Sequence, residues 1–188
     1  KDPFGSFGQC LSWMLGYTAH VIGDVTIHPV VMELVGPYVG NETAHRLCEI
    51  DQDAYIFLRM NIGEIAQAEI IKTGIKKCAN ADDVLNFWDR LLKDIYSQNY
   101  QEDQPQIHRW NSLYCEAIDN FAEENKFLVL SRLAREKGYA YPVSSNVKNK
   151  HIRGLTLPNN HGIADYDEVF DKAVSNVAQM WKVVIDGV

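Results

Sequence analysis

The chain has 188 residues, 46% hydrophobic and 23% charged, which excludes intrinsic disorder and suffices for one domain with a sizeable core. Its formal charge of −7 excludes a generic phosphate-tracking surface, so no stable nucleic-acid complex is expected. A bound divalent cation would reverse the local sign, so a phosphorylated substrate stays open.

Apolar residues recur at helical spacing almost throughout, which predicts an all-α, multi-helix bundle forming a single domain over 1–188. In chain order, a long apolar helix is predicted from about Phe7 to His28. It should break there, because Pro29 lacks a donor N–H and disfavours helical geometry in the residue before it. Gly36-Pro37-Tyr38-Val39-Gly40-Asn41 is turn chemistry. A second helix should start near Glu42 and Thr43, with Thr43 as N-cap, and run through His45, Glu49, Asp53 and Phe57. Further helices are expected over 60–77, interrupted near Gly74, and over 81–100, where Asp82 and Asp83 suit the helix dipole. The longest should run from Pro105 to about 137 and stop at Gly138. One long irregular loop is expected over about 139–161, and a final helix over 165–185. Cys10, Cys48, Cys78 and Cys115 are scattered, form no CxxC pair and are expected as free thiols. No apolar run reaches membrane-spanning length, and no signal peptide opens the chain.

Two fragments carry the chemistry. In His20-Val-Ile-Gly-Asp24-Val-Thr-Ile-His28, three potential ligands recur every fourth residue. At about 3.6 residues per turn, each step rotates only about 40°, so all three share one helix face. In His45-Arg-Leu-Cys-Glu49-Ile-Asp-Gln-Asp53 the same holds for His45, Glu49 and Asp53. Imidazoles and carboxylates are the ligands zinc takes when thiolates are absent. Two facing helices with such pairs build metal sites inside bundles. A lone His and acid four apart is usually only a surface hydrogen bond. Here His20 and Asp24 stand in a helix apolar nearly all round, which predicts burial, and a buried carboxylate needs a compensating partner. Three of the six histidines, His20, His28 and His45, fall in step with an acid.

These residues resemble the zinc-dependent phospholipase C family. The stretch Leu15-Gly16-Tyr17-Thr18-Ala19-His20-Val21-Ile22-Gly23-Asp24, then His28, then His45-xxx-Glu49, looks like its ligand-bearing core. Single-strand nucleases of the same fold share the first phrase but carry His-xxx-Asp in the second, so Glu49 tips the match toward the lipases. The resemblance implies one zinc site from His28, His45 and Glu49. It also implies half of a neighbouring pair from His20 and Asp24, with one to three zinc ions in all. The implied activity is hydrolysis of a phospholipid or other phosphodiester by a metal-activated water. Here His28 follows Asp24 by four residues, two fewer than in the family's well-known members. Their further ligands and general base lie upstream of the phrase matching His20, so both are expected upstream of this chain.

Two other readings keep the fold. One is a helical module with a structural zinc site; the other is a single-strand nuclease, against which the acidic charge and Glu49 weigh. Asp53 is expected either to support His45 or to be solvated. His108 should be half-buried and structural, His151 solvated in a basic loop, and His161 near the start of the last helix. Trp13, Trp88, Trp110 and Trp181 are expected in the core, and Tyr17 is the aromatic expected nearest the metals.

Overall fold

The structure, a computed structural model, describes residues 5–63, 82–122, 142 and 144–187. It is all-α apart from one small strand pair. The helices are α1 (Gly5–Val35), α2 (Glu42–Arg59), α3 (Asp82–Ile95), α4 (Ser97–Glu102), α5 (Ile107–Ala122) and α6 (Tyr166–Asp186). Between α5 and α6 lie 3-10 turns at Ser144–Asn146, Asn149–His151 and Pro158–Asn160. Two-residue strands β1 (Leu155–Thr156) and β2 (Ile163–Ala164) pair antiparallel there, Leu155 opposite Ala164. Contacts divide the chain into two compact units, residues 1–16 with 69–130 and residues 17–68 with 131–188.

In the first unit, the start of α1 meets α3 through aromatic packing. The Trp13 ring lies 4.7 Å from that of Trp88 and 6.1 Å, edge-on, from that of Phe87. The helix expected over 81–100 is divided at Tyr96, where a bend separates α3 from the short α4. Two tryptophans depart from the core expectation: Trp110 is 55% exposed in this unit and Trp181 39% exposed in the other.

The second unit holds the described part of the candidate chemistry. Its core joins Val30 of α1, Ile56 of α2, Ile152, Leu155 and Ala164 of the strand region, and Tyr166 and Val169 of α6. The expected break at Pro29 is absent, and α1 continues to Val35. An interior proline removes one helical hydrogen bond and costs about 3 kcal/mol. Val30 and Val31, both buried, offset it, since each such side chain contributes about 1.5–3 kcal/mol on burial. Pro29→Ala should therefore raise stability by about 1–3 kcal/mol. The readout is a higher urea midpoint with an unchanged slope; a lower midpoint would show that the packing depends on the proline ring.

α2 begins at Glu42, where it was expected, but with a different cap. Its N-cap is Asn41 rather than Thr43, and the Asn41 side-chain amide turns back to donate to the Pro37 carbonyl at 2.8 Å. Residues 60–63 are not helical, and Met60 and Asn61 form a turn. The rest of the helix expected over 60–77 with Gly74, the stretch 123–137 with its stop at Gly138, and Cys78 lie outside the described residues.

The irregular segment is anchored by polar contacts. Asp165, the N-cap of α6, accepts from the Gly154 N–H at 2.9 Å and from Arg153 Nη1 at 2.8 Å. Arg153 also lies over the Tyr55 ring, 5.4 Å from its centre. The Tyr55 hydroxyl donates to Asp167 at 2.5 Å. The Gly154 N–H, then Arg153, hold the Asp165 carboxyl below its ordinary value. A carboxyl lowered by folding contributes stability above its unfolded-state pKa and loses it as pH falls through the lowered value. Asp165→Asn should thus flatten the acid limb of the stability profile in that window, measured by denaturant titration at stepped pH. An unchanged limb would remove Asp165 from the acid response.

Candidate metal centre

α2 buries three polar side chains, His45, Asp51 and Gln52, alongside Cys48, Ile50, Ala54 and Ile56. Buried polar groups are costly unless hydrogen-bonded, so each partner matters. Asp51 accepts from His151 Nδ1 at 2.6 Å, and both side chains are buried. The Gln52 amide donates from Nε2 to the His151 carbonyl at 3.2 Å. His45 Nε2 lies 2.8 Å from the Gly36 carbonyl. A carbonyl only accepts, so Nε2 carries the proton and the neutral ring leaves Nδ1 as a bare lone pair. Among the described residues, His45 Nδ1 and Gln52 Oε1 are the buried side-chain atoms left without a hydrogen-bond partner.

Gly36 earns its place in the turn. Its φ is +91°, and a Cβ there would meet the Asn41 amide nitrogen at 3.0 Å. A side chain at this position is thus disfavoured twice, by conformation and by contact.

His45, His28 and Glu49 each offer a ligand atom within 4.8 Å of the others. His28 Nε2 stands 3.7 Å from Glu49 Oε1 and 3.8 Å from Asp24 Oδ1, and His20 Nε2 lies 3.4 Å from Asp24 Oδ2. These separations are at or beyond the outer limit of hydrogen bonding, so the groups converge without satisfying one another. Because α1 runs through Pro29, His20, Asp24 and His28 stay on one face in the expected register. The expected burial of the outer pair is not found: the His20 and Asp24 side chains are 70% and 48% exposed. An apolar helix does not bury every face, and Val25, in the intervening turn, is 62% exposed too.

An open cavity of about 500 Å³ adjoins these groups, lined by His20, Asp24, Ile27, His28, Tyr38, Arg46, Glu49, Gln52, Asp53 and Tyr166. Arg46 is the permanent cation among them, its Nη1 3.9 Å from Glu49 Oε2. The aromatics lining it are Tyr38, edge-on to His45 at 5.2 Å, and Tyr166, whereas Tyr17 does not line the cavity. The group fixing the His45 tautomer is the Gly36 carbonyl, not Asp53.

Buried His151 contradicts the solvated-loop expectation, because Asp51 of α2 draws it inward despite its basic neighbours. His108 is exposed and sits 3.2 Å from Asn86 Oδ1. His161 ends the last 3-10 turn, before α6. Cys10, Cys48 and Cys115 are free. Burial pushes the Cys48 thiol up to about 12, as expected of a thiol packed among apolar side chains.

A sequence model described as zinc dependent phospholipase C matches residues 4–104. The chain belongs to that family. No curated protein and no solved structure matches it. The cofactor of the zinc-dependent phospholipase C family is zinc, and the residues present fit it. Two imidazoles and a carboxylate are a donor set zinc accepts. The buried lone pair on His45 Nδ1, its ring held from behind by a carbonyl, is the arrangement metal-bound histidines adopt. No described helix is long and apolar enough to cross a membrane.

Proposed function

We propose that this chain is a zinc-dependent phosphodiester hydrolase that cleaves phospholipid head groups. In this reading His28, His45 and Glu49 hold one zinc, and His20 and Asp24 supply half of a neighbouring site. One observation carries it: His45, whose buried Nδ1 has no hydrogen-bond partner, His28 and Glu49 each bring a ligand atom within 4.8 Å of the others. Zinc, when bound, supplies a Lewis acid that polarises phosphoryl oxygens and makes water a nucleophile near neutral pH.

The chain's own residues do the rest. The Gly36 carbonyl keeps the proton on His45 Nε2 and so keeps Nδ1 available. Asp24 stands between His20 and His28 on one helix face, 3.4 Å and 3.8 Å from their Nε2 atoms, and so keeps a carboxylate beside both rings. Arg46, which lines the cavity with Glu49, offsets the acids Asp24, Glu49 and Asp53 there and attracts the phosphodiester anion.

Dialysis against a chelator should abolish hydrolysis of a phospholipid and of a chromogenic phosphodiester, and added zinc should restore both. Activity that survives complete metal removal would overturn the reading. Elemental analysis separates it from a structural staple. Two or more ions per chain accord with catalysis; a single ion with no hydrolysis leaves a helical module pinned by zinc. The exposure of His20 and Asp24 is the observation that keeps this second reading in play.

A further inference from the structure

Each of the three proposed ligands on α1 is preceded, three residues earlier, by an exposed apolar side chain: Tyr17 before His20, Val21 before Asp24 and Val25 before His28. A step of three turns the helix by about 300°, so the two rows run side by side about 60° apart. Val21 is 37% exposed and Val25 62%. The turn between α1 and α2 adds to this surface. Tyr38 lines the cavity, and Val39 beside it is 86% exposed, the most of any large apolar side chain among the described residues. Apolar side chains exposed singly are ordinary, but a row of three and a turn tip bordering one cavity form a patch, and such patches mark interaction or membrane sites.

Continuity and charge select the occupant. His20, Asp24 and His28 line the cavity, so the apolar row adjoins the place where the proposed substrate is cut. A long-chain phospholipid arrives there from the lipid surface that holds its tails. Residues 5–41 contain no Lys or Arg, and Asp24 and Glu33 are their only carboxylates. Basic side chains are what hold a protein to acidic lipids, so this face suits a lipid surface without net charge. A second copy of the chain fits less well, because these few part-exposed side chains fall short of the about 800 Å² that each partner buries in a stable interface.

We propose that the row Tyr17, Val21 and Val25, with the turn tip at Val39, docks this chain on a zwitterionic phospholipid surface beside its cavity. The inference rests on the phosphodiesterase reading and deepens it: the substrate is taken from a bilayer rather than from monomers in water. The grip comes from apolar burial, so it is insensitive to salt.

The test is flotation of the zinc-loaded protein with vesicles of phosphatidylcholine alone and of phosphatidylcholine mixed with phosphatidylserine. The first should bind it, added phosphatidylserine should not strengthen binding, and high salt should change it by less than about twofold. Val25→Ser combined with Val39→Ser removes apolar surface without adding charge and should weaken binding about tenfold or more, whereas Val39→Trp should tighten it severalfold. Hydrolysis of a water-soluble chromogenic phosphodiester should stay at the wild-type level in both variants, since neither residue lines the cavity. Wild-type protein that ignores phosphatidylcholine vesicles overturns the inference, and needs no variant that might misfold. So does binding that requires phosphatidylserine, or that the folded double variant retains. A dimer in sedimentation velocity that the double variant splits also overturns it, by giving the face to a second copy. Zinc uptake and hydrolysis of the soluble ester are measured on the same preparation. A protein that does neither sinks the functional reading and this inference together; one that does both and ignores vesicles sinks this inference alone.

Discussion

His45→Ala should leave a folded protein that no longer retains zinc. A three-ligand site of ~12 kcal/mol that loses one ligand forfeits about 4 kcal/mol, or about a thousandfold in affinity. The effect should exceed that of replacing His20, whose side chain is 70% exposed and whose acid partner can rotate into water. Burial is what separates the two. At His45 the lone pair has no alternative partner and no solvent, so removing the ring removes a donor that nothing nearby can replace. Competition against a chromophoric chelator measures the affinity, and circular dichroism checks the fold. Wild-type zinc retention in His45→Ala would eliminate the triad of His28, His45 and Glu49 as the metal centre.

The second large effect is expected at the Asp51–His151 pair. Its 2.6 Å hydrogen bond joins α2 to a 3-10 turn a hundred residues later, and both side chains are buried. Asp51→Leu or His151→Leu alone should cost about 3–5 kcal/mol, because each strands the other group without its partner. Replacing both should cost less than the sum, since neither orphan then remains. Urea denaturation of the two single variants and the double variant completes the cycle. A single-variant loss within the error of the method would show that water takes over the missing contact.

The register of the proposed metal ligands was legible in the sequence because helical geometry alone dictates it. Residues four apart share a face, and His20, Asp24, His28, His45 and Glu49 obey that rule in the structure. Burial was harder to read, because it is decided by what docks from far away. His151 stands among Lys148, Lys150 and Arg153, and only its pairing with Asp51 brings it inside. Pro29 misleads in the same way: local preference argues for a break, and the burial of Val30 and Val31 overrides it. Gln52 left a trace that could have been followed. It continues the series His45, Glu49, Gln52, Ile56 at spacings of four, three and four, the period of an inward face. A polar side chain in that series is out of place unless something in the interior needs it. Tyr38 and Gly36 had no comparable signal, since a turn's composition does not disclose which ring it will rest against.

Gly36 contributes no donor atom to an ion, yet the backbone oxygen of this left-handed residue decides which nitrogen of His45 is free to bind one. The identity of the proposed ligands and the strength of their grip are thus separable. Two proteins with the same imidazoles and acids could differ widely in affinity according to the residue nine positions before His45. Anyone transplanting the two helical motifs into a new scaffold would have to carry the connecting turn along with them.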